Sequence, residues 1–486
     1  MMVRVRFAPS PTGDPHIGNI HTALFNWLLA RSQEGRFVLR VEDTDVARYS
    51  AGALDKMLDG LRWLGLDWDE GPDKGGPYAP YVQSQRLSLY RQWTEHLLEH
   101  GQAYRCYCSP QRLDTRRQEM IAKSQPPRYD GRCRYTTPAE RTREEAKGIT
   151  PVVRLKSPLE GETAFGDLLR GPLTFNNRNL DDTILLKSDG YPTYHLASVI
   201  DDHLMDITHV LRGEEWISST PWHMVLYQAF GWEPPQFVHL PLILNSDRSK
   251  LSKRVGSSSL NHYREVGYLP EALVNYLALL GWSPRSPGAE VLSPQELTAQ
   301  FALNRLSRSS SILDLERLDW FNKQHLKRRS PADIVALTEP HLRSAFGRVS
   351  CHEGTALSET EWRETLAAAI REEMATLQDI VELGRPLFED DFTPTAEARQ
   401  ARLAAAAPDV LSALAADLPG LEPFTYDTVN QYLRSLRYRF KTERALAGRE
   451  VMFPIRAALT GTLKGPCLVV VAILLGKERC LHRIRS

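Results

Sequence analysis

The sequence is poor in cysteine and carries no excess of either charge. Six cysteines stand among 486 residues, far below the density of a disulfide-built fold. Lys plus Arg is 60 and Asp plus Glu is 60, a formal net charge of zero. That excludes a protein that coats nucleic acid by bulk positive charge, but not a reader with local basic patches. Long apolar runs are missing too. The longest, residues 467–475, is far short of the about 20 residues that span a bilayer, and reads as a buried strand or helix. No apolar core follows the N-terminal Met-Met-Val-Arg-Val-Arg-Phe, so a secretory signal is not expected and a cytoplasmic location is. No internal repeat is evident. What remains is an ordinary globular composition, 42% hydrophobic and 25% charged, with length for about three domains.

Residues 3–7 alternate apolar and basic side chains, a strand signature. Prolines 9, 11 and 15 with Gly13 make residues 8–15 a loop. From His16 a helical pattern begins, with Ile20, Ala23, Leu24, Trp27 and Leu28 on one face. Residues 36–41 read as a second, buried strand. Strand, loop, helix and strand form a βαβ unit, which predicts a parallel sheet. Helical patterns follow at 53–64 and 85–100, the second closed by Gly101. Residues 102–180 lose this rhythm, are rich in Arg, Pro and Thr, and read as an insertion domain. Residues 183–187 and 191–194 flank Ser-Asp-Gly, a hairpin signal, and Arg285-Ser-Pro-Gly288 marks a break. Beyond about residue 330 the pattern is helical. Ser330, Pro331 and Asp333 supply an N-cap, a first-turn proline and an acid. Residues 361–383 and 396–416 are helical, the latter interrupted by Pro408.

Two polar elements suit a phosphate-bearing ligand. His16-Ile-Gly18-Asn19 lies between the first strand and first helix, where a doubly wound fold offers helix N–H groups and dipole to phosphate. Lys250-Leu-Ser-Lys253-Arg254 packs three cations and a hydroxyl into five residues, suited to neutralising a triphosphate. Cys106, Cys108 and Cys133 fall within 28 positions and point to a metal site in a reducing compartment.

These elements, in this order, resemble the signature pair of class I aminoacyl-tRNA synthetases. Ala8-Pro-Ser-Pro-Thr-Gly13, Val41-Glu-Asp-Thr-Asp45, Ser188-Asp-Gly-Tyr-Pro-Thr-Tyr-His195, Val199-Ile-Asp-Asp-His203 and Gly213-Glu-Glu-Trp216 narrow the resemblance to the bacterial glutamyl-tRNA synthetase family. It is strong to about residue 325, weaker through the helical part, and returns at Arg456-Ala-Ala-Leu-Thr-Gly461 and Leu475-Gly-Lys-Glu-Arg479. The resemblance implies an α/β chain: a Rossmann-like doubly wound parallel sheet with an α+β insertion domain, followed by an all-α anticodon-binding region. The expected boundaries are 1–101 and 183–245 for the catalytic halves, 102–182 for the insertion, 246–329 for the signature-lysine and stem-contact region, and 330–486 for the helical part, itself in two subdomains.

It further implies ATP-dependent joining of L-glutamate to tRNA(Glu) through glutamyl-adenylate, in a monomer with no membrane partner. His16, Gly18, Asn19, Glu215, Trp216, Lys250 and Lys253 would hold ATP with its Mg2+, with His16, Lys250 and Lys253 acting in catalysis. Arg6, Ala8, Ser10, Glu42, Tyr194, Ser198 and Arg212 would hold glutamate: arginine forks grip carboxylates and Glu42 meets the ammonium. Two departures stand out. Ser198 takes a place where many members carry Asn, so a water would complete that contact, and Asn19 replaces the second His of the class pattern.

The cysteine cluster resembles the structural zinc site of some bacterial members. Its fourth ligand is Tyr135, Tyr129 or water. Residues 112–134 carry seven basic side chains against three acidic, in the insertion expected to hold the acceptor stem. Residues 434–450 carry six against two, with Tyr438 and Phe440 interleaved, a pattern for phosphate contact and base stacking. Asp45, Arg437 and Arg439 are the expected tRNA contacts. Three other readings compete. A tRNA-modifying relative lacks the helical third, a glutaminyl-tRNA synthetase usually carries a β-barrel there, and a non-catalytic paralogue should have lost His16, Gly18, Lys250 or Lys253.

Overall fold

A computed structural model describes residues 2–48, 50, 52–251, 259–286, 288–347, 351, 355–390 and 392–486. The chain divides into two units. The first comprises Met1–His262 and Val274–Asp314, the second Tyr263–Leu273 and Leu315–Ser486.

Strand β1 (Arg4–Phe7) is buried along its whole length, so its alternation does not mark a solvent face. Val5 and Phe7 enter the core, while Arg4 pairs with Glu70 at 2.7 Å and Arg6 with Asp202 at 3.0 Å. Helix α1 (Ile17–Ser32) starts on His16, and β2 (Arg36–Leu39) lies parallel to β1 with Arg4 opposite Arg36. The expected βαβ unit is formed. Then come α2 (Ala53–Trp63), α3 (Leu87–Glu99), β3 (Ala103–Cys106), α4 (Pro110–Ala122), α5 (Pro138–Glu145), β4 (Val152–Leu155), β5 (Glu162–Asp167), β6 (Gly171–Asn176) and β7 (Ile184–Leu186). The first unit continues with α6 (Tyr194–Leu204), β8 (His209–Gly213), α7 (Thr220–Phe230), β9 (Gln236–Leu240) and β10 (Ile243–Leu244). After α8 (Leu260–Val266) and α9 (Pro270–Leu279) come α10 (Pro294–Gln300) and β11 (Ser311–Ile312).

The sheets cross the limits expected for an insertion. β8 and β9 are parallel, with Arg212 opposite His239. β5 joins β9 in parallel at Asp167 and carries the antiparallel β6 beyond it. Residues 162–176 thus extend the sheet that holds Arg212. β1 runs beside this sheet through Thr208, whose N–H donates to the Arg4 carbonyl at 2.9 Å. β7 closes an antiparallel β3–β4–β7 sheet. The hairpin expected across 183–194 forms as a short one: Leu186 bridges Pro192 in antiparallel, and the Lys187 and Thr193 N–H groups donate to the Tyr191 and Leu185 carbonyls at 2.9 and 2.8 Å across the turn. Its second arm ends at Thr193, because Tyr194 opens α6, where Leu196, Val199 and Ile200 are buried at helical spacing.

The second unit is helical among the described residues. It contains α11 (Leu315–Lys327), α12 (Pro331–Phe346), α13 (Glu359–Ile370), α14 (Asp379–Phe388), α15 (Ala396–Leu403) and α16 (Ala407–Asp417). It ends with α17 (Tyr426–Arg444), α18 (Gly448–Thr460), α19 (Leu468–Leu475) and α20 (Lys477–Arg485). Ser330 and Asp333 form the expected capping box. The pattern over 361–383 is broken between α13 and α14, where the Asp379 carboxylate accepts the N–H groups of Ala375 and Thr376 and starts a new helix. Pro408 sits in the first turn of α16, where a missing N–H costs nothing, and so divides the pattern over 396–416 in two. The apolar run 467–475 is α19. Trp362 is fully buried and donates from Nε1 to the Leu474 carbonyl at 2.8 Å, pinning α13 to it. Among the described residues no helix is long and apolar enough to cross a membrane.

Candidate active site

A cleft of about 570 Å³ opens in the first unit beside the C-terminal ends of β1 and β8. Its walls include Arg6, Ala8, Ser10, Asn19, Glu42, Asp45, Tyr194, Arg212, Glu215 and Trp216. Ten of the expected site residues therefore meet in one cavity. Ser198 does not line it. Its hydroxyl is buried in α6 without a hydrogen-bond partner among the described residues.

Behind the cleft lies a buried charge cluster. Asp202 accepts from Arg6 Nε and Nη2 at 3.0 and 3.3 Å and from Arg40 Nη1 at 2.7 Å. Arg40 Nη2 donates to Glu42 at 3.1 Å. The expected cation and anion of the amino-acid site are thus joined through two residues that do not touch the cavity, Asp202 and Arg40. Beside them Asp201 accepts from Gln83, Arg86 and Tyr90 at 2.9, 2.8 and 2.7 Å. Burial alone would push the Asp202 carboxyl up, but the Arg40 and Arg6 guanidiniums outweigh it and hold it below the usual range. Glu42 goes the other way: burial raises it despite Arg40 and Arg6.

The donor count separates the two arginines of the cleft. Asp202 takes one edge of Arg6, and Nη1 is left for a ligand. Arg212 is far more committed. Its Nε donates to His239 at 3.1 Å, Nη1 to Tyr194 and His223 at 3.0 and 3.3 Å, and Nη2 to Thr220 at 2.8 Å. Of five N–H groups one is left. Arg6 keeps a fork for a carboxylate, and Arg212 offers a single bond rather than the two expected of it. Tyr194 in turn packs against Trp216 at a tilt of 34°, with ring centroids 4.1 Å apart. Burial and the Arg212 charge lower His195 to about 4, and it is neutral beside His223.

At the start of α1, His16 caps the helix: its Nδ1 accepts the Gly18 N–H at 3.1 Å. Only an unprotonated ring nitrogen can accept an N–H, so Nδ1 carries no proton. The approach is close at Gly18, where a Cβ would lie 3.3 Å from His16 Nδ1 and would press on the ring. Glu215 folds back over Gly213, where a Cβ would collide with its carboxylate. Lys250 is exposed and bridged through its backbone to Leu244. Lys253 lies outside the described residues.

The Sγ atoms of Cys106, Cys108 and Cys133 lie within 4.8 Å of one another. Cys108 and Cys133 are 3.6 Å apart, close to the ~3.8 Å edge of a tetrahedron with 2.3 Å zinc–sulfur bonds. Tyr129, not Tyr135, completes the group. Its hydroxyl is 3.4 Å from Cys106 Sγ and 3.6 Å from Cys108 Sγ, whereas Tyr135 is 72% exposed. Tyr135 sits at the end of a short turn that buries Cys133, turns Arg134 inward to Asp182 at 2.6 Å and leaves the Tyr135 ring outside. Arg154 stacks on the Tyr129 ring at 4.0 Å, and Arg112 donates to Cys108 Sγ at 3.4 Å, so cations flank the thiols. Three thiols and a phenol in this arrangement can hold a tetrahedral cation.

In the second unit α17 and α18 line a cleft of about 900 Å³ with Arg434, Arg437, Tyr438, Lys441 and Arg456. Tyr438 is 71% exposed. Arg439 is on another face of α17 and pairs with Asp417 at 3.3 Å.

Sequence reasoning missed Arg40, Asp167, Asp202 and His239, none of which touches the cavity. The adjacent acids Asp201-Asp202 inside an apolar helix were the available signal.

Residues 2–320 match the family described as tRNA synthetases class I (E and Q), catalytic domain, and residues 333–486 match an anticodon binding domain. Glutamate–tRNA ligase of Dehalococcoides mccartyi is 44% identical over 99% of this chain and 97% of its own. That of Bacillus subtilis is 43% identical over 100% and 99%. The crystal structure of a glutamate tRNA ligase from Elizabethkingia meningosepticum, in complex with its amino acid, superposes with a TM-score of 0.90 at 35% identity, covering 100% of this chain and 99% of that one. The chain belongs to the glutamate–tRNA ligase family.

Proposed function

We propose that the chain attaches L-glutamate to tRNA(Glu) in two ATP-dependent steps. The glutamate α-carboxylate attacks the α-phosphate of ATP, forming glutamyl-adenylate and releasing pyrophosphate. The 2′-hydroxyl of the terminal adenosine of tRNA then attacks the mixed anhydride and releases AMP. No protein nucleophile is needed, so catalysis consists of positioning and charge stabilisation. The observation that carries this is the cleft itself, where Arg6, Arg212 and Glu42 together match two carboxylates and one ammonium. Ser10 and Tyr194 supply hydroxyls and Ala8 leaves room beside them.

His16, with Gly18, Asn19, Glu215 and Trp216, holds ATP, whose Mg2+ enters as part of the substrate. Lys250 and Lys253 neutralise the phosphates as charge moves onto pyrophosphate. Residues 102–182 meet the acceptor stem and residues 330–486 the anticodon, with Asp45, Arg437 and Arg439 among the tRNA contacts. Cys106, Cys108, Cys133 and Tyr129 hold a structural zinc, which ties β3 to the loop before α5. The chain acts as a cytoplasmic monomer.

The test is aminoacylation of purified tRNA(Glu) and tRNA(Gln) with labelled glutamate, with glutamine and aspartate as controls. Glutamate-dependent charging of tRNA(Glu) is expected. Charging with glutamine or aspartate in preference to glutamate, or none at all, overturns the assignment.

A further inference from the structure

Asp167 and His239 are wholly buried and outside the cleft, yet one of them holds an arginine inside it. They stand on adjacent parallel strands: Asp167 ends β5, His239 lies in β9, and Arg212 is the register partner of His239 on β8. An arginine can only donate. The bond from Arg212 Nε to His239 Nε2, at 3.1 Å, therefore requires an unprotonated Nε2. The ring proton is on Nδ1, which donates to Asp167 Oδ2 at 2.8 Å. The tautomer is fixed at both ends. Thr220 Oγ1 is 3.2 Å from the same Nε2 but has its own acceptor, the Trp216 carbonyl at 2.9 Å, and so leaves Nε2 to Arg212.

Asp167 is held just as firmly. Its Oδ2 also accepts the His239 backbone N–H at 2.9 Å, and its Oδ1 accepts the N–H groups of Leu169 and Arg170 at 2.9 and 2.8 Å. Four donors converge on one carboxylate, which cannot swing away. Burial lowers the His239 pKa, although Asp167 pulls it up, and the neutral ring is the form the geometry needs.

We propose that Asp167 and His239 are positioning residues for glutamate. They lock the Arg212 guanidinium about its Nε, so that its one uncommitted N–H is presented to the substrate in a single orientation. Arg6 is aligned by a carboxylate directly, whereas Arg212 is aligned by a carboxylate acting through an imidazole. The role depends on Arg212 holding glutamate, as proposed above. It gives residues 162–167, in a stretch expected to serve the tRNA, a part in selecting the amino acid.

The test uses the full chain with tRNA, varying glutamate and ATP separately in wild type, His239→Asn and His239→Gln. An Asn amide reaches Asp167 but falls short of Arg212. A Gln carbonyl reaches the place of Nε2. His239→Asn is expected to raise the KM for glutamate roughly ten- to hundredfold, as loss of a hydrogen bond to a charged group does, and to leave the KM for ATP within about twofold. His239→Gln is expected to restore most of the loss. An unchanged glutamate KM in His239→Asn, an equal rise in both KM values, or a Gln variant as impaired as Asn would each overturn the proposal. Should His239→Asn not fold, 15N NMR of the wild-type imidazole decides: an unprotonated Nε2 at neutral pH is required, and a protonated one overturns it. Wild type that charges nothing with glutamate refutes the proposed function, and the role of the pair falls with it.

Discussion

Replacing Arg40 with Met removes the centre of the buried charge cluster. The Arg40 side chain is 0% exposed, with Asp202 at 2.7 Å, Glu42 at 3.1 Å and Asp201 at 3.8 Å. Arg6, Arg40 and Arg86 balance Glu42, Asp201 and Asp202 there. Met keeps the length and apolar volume but leaves two cations against three anions. Breaking a buried ion pair from one side costs about 3–5 kcal/mol. The variant has one escape. Burial already raises the Glu42 pKa, and Arg40 is the first of the charges that oppose it. Without Arg40, Glu42 takes up a proton, which neutralises the cluster and removes the anion proposed for the substrate ammonium. A carboxyl with a raised folded pKa stabilises the fold as pH falls through that pKa and loses this as pH rises. The deficit against wild type is therefore largest near neutral pH and shrinks on acidification. Urea denaturation is expected to show a loss of about 3–5 kcal/mol at neutral pH and a smaller one near pH 5.5. Adding Glu42→Gln recovers about 1–3 kcal/mol. The glutamate KM rises while the ATP KM holds. A deficit under about 1 kcal/mol, or no recovery in the double variant, would refute the reasoning.

Lys253→Ala is expected to slow glutamate-dependent pyrophosphate exchange by about 10²–10³-fold with an unchanged melting temperature, and near-normal exchange rejects its role. Elemental analysis should find about one zinc per chain. Tyr129→Phe should release it to a chelator sooner than wild type does while Tyr135→Phe behaves as wild type, and a metal-free wild-type protein ends the zinc assignment. Arg437→Ala with Arg439→Ala should raise the KM for tRNA severalfold and flatten its salt dependence, with the KM for ATP as the unmoved control; a constant tRNA KM counts against both residues.

The parts of the fold that were legible in the sequence are those set by local pattern. β1, α1 and β2 follow from alternation, loop prolines and a helical stripe, and α12 from Ser330, Pro331 and Asp333. The cleft was legible because its lining residues sit in compact motifs. The Arg40–Asp202 and Asp167–His239 pairs were not, because each joins residues 72 or more positions apart whose partners only the tertiary fold reveals. Tyr129 against Tyr135 was undecided for a similar reason: both flank Cys133, and only the path of the turn carrying it decides which ring faces the thiols. The turn at Ser188-Asp-Gly190 was legible from its residues, whereas the end of the hairpin's second arm was not, since Tyr194 already belongs to α6.

Arg6 and its partner Asp202 are separated by 196 positions. At roughly 5–20 residues per second, the arginine is incorporated about 10–40 s before the carboxylate exists. His239 is made later still. The nascent chain must keep Arg6 and Arg40 hydrated through that interval, since neither can enter an apolar core alone. Truncated products ending before about residue 200 would then expose the segments flanking β1 to chaperones and proteases, and closure of the cleft becomes a late event in synthesis.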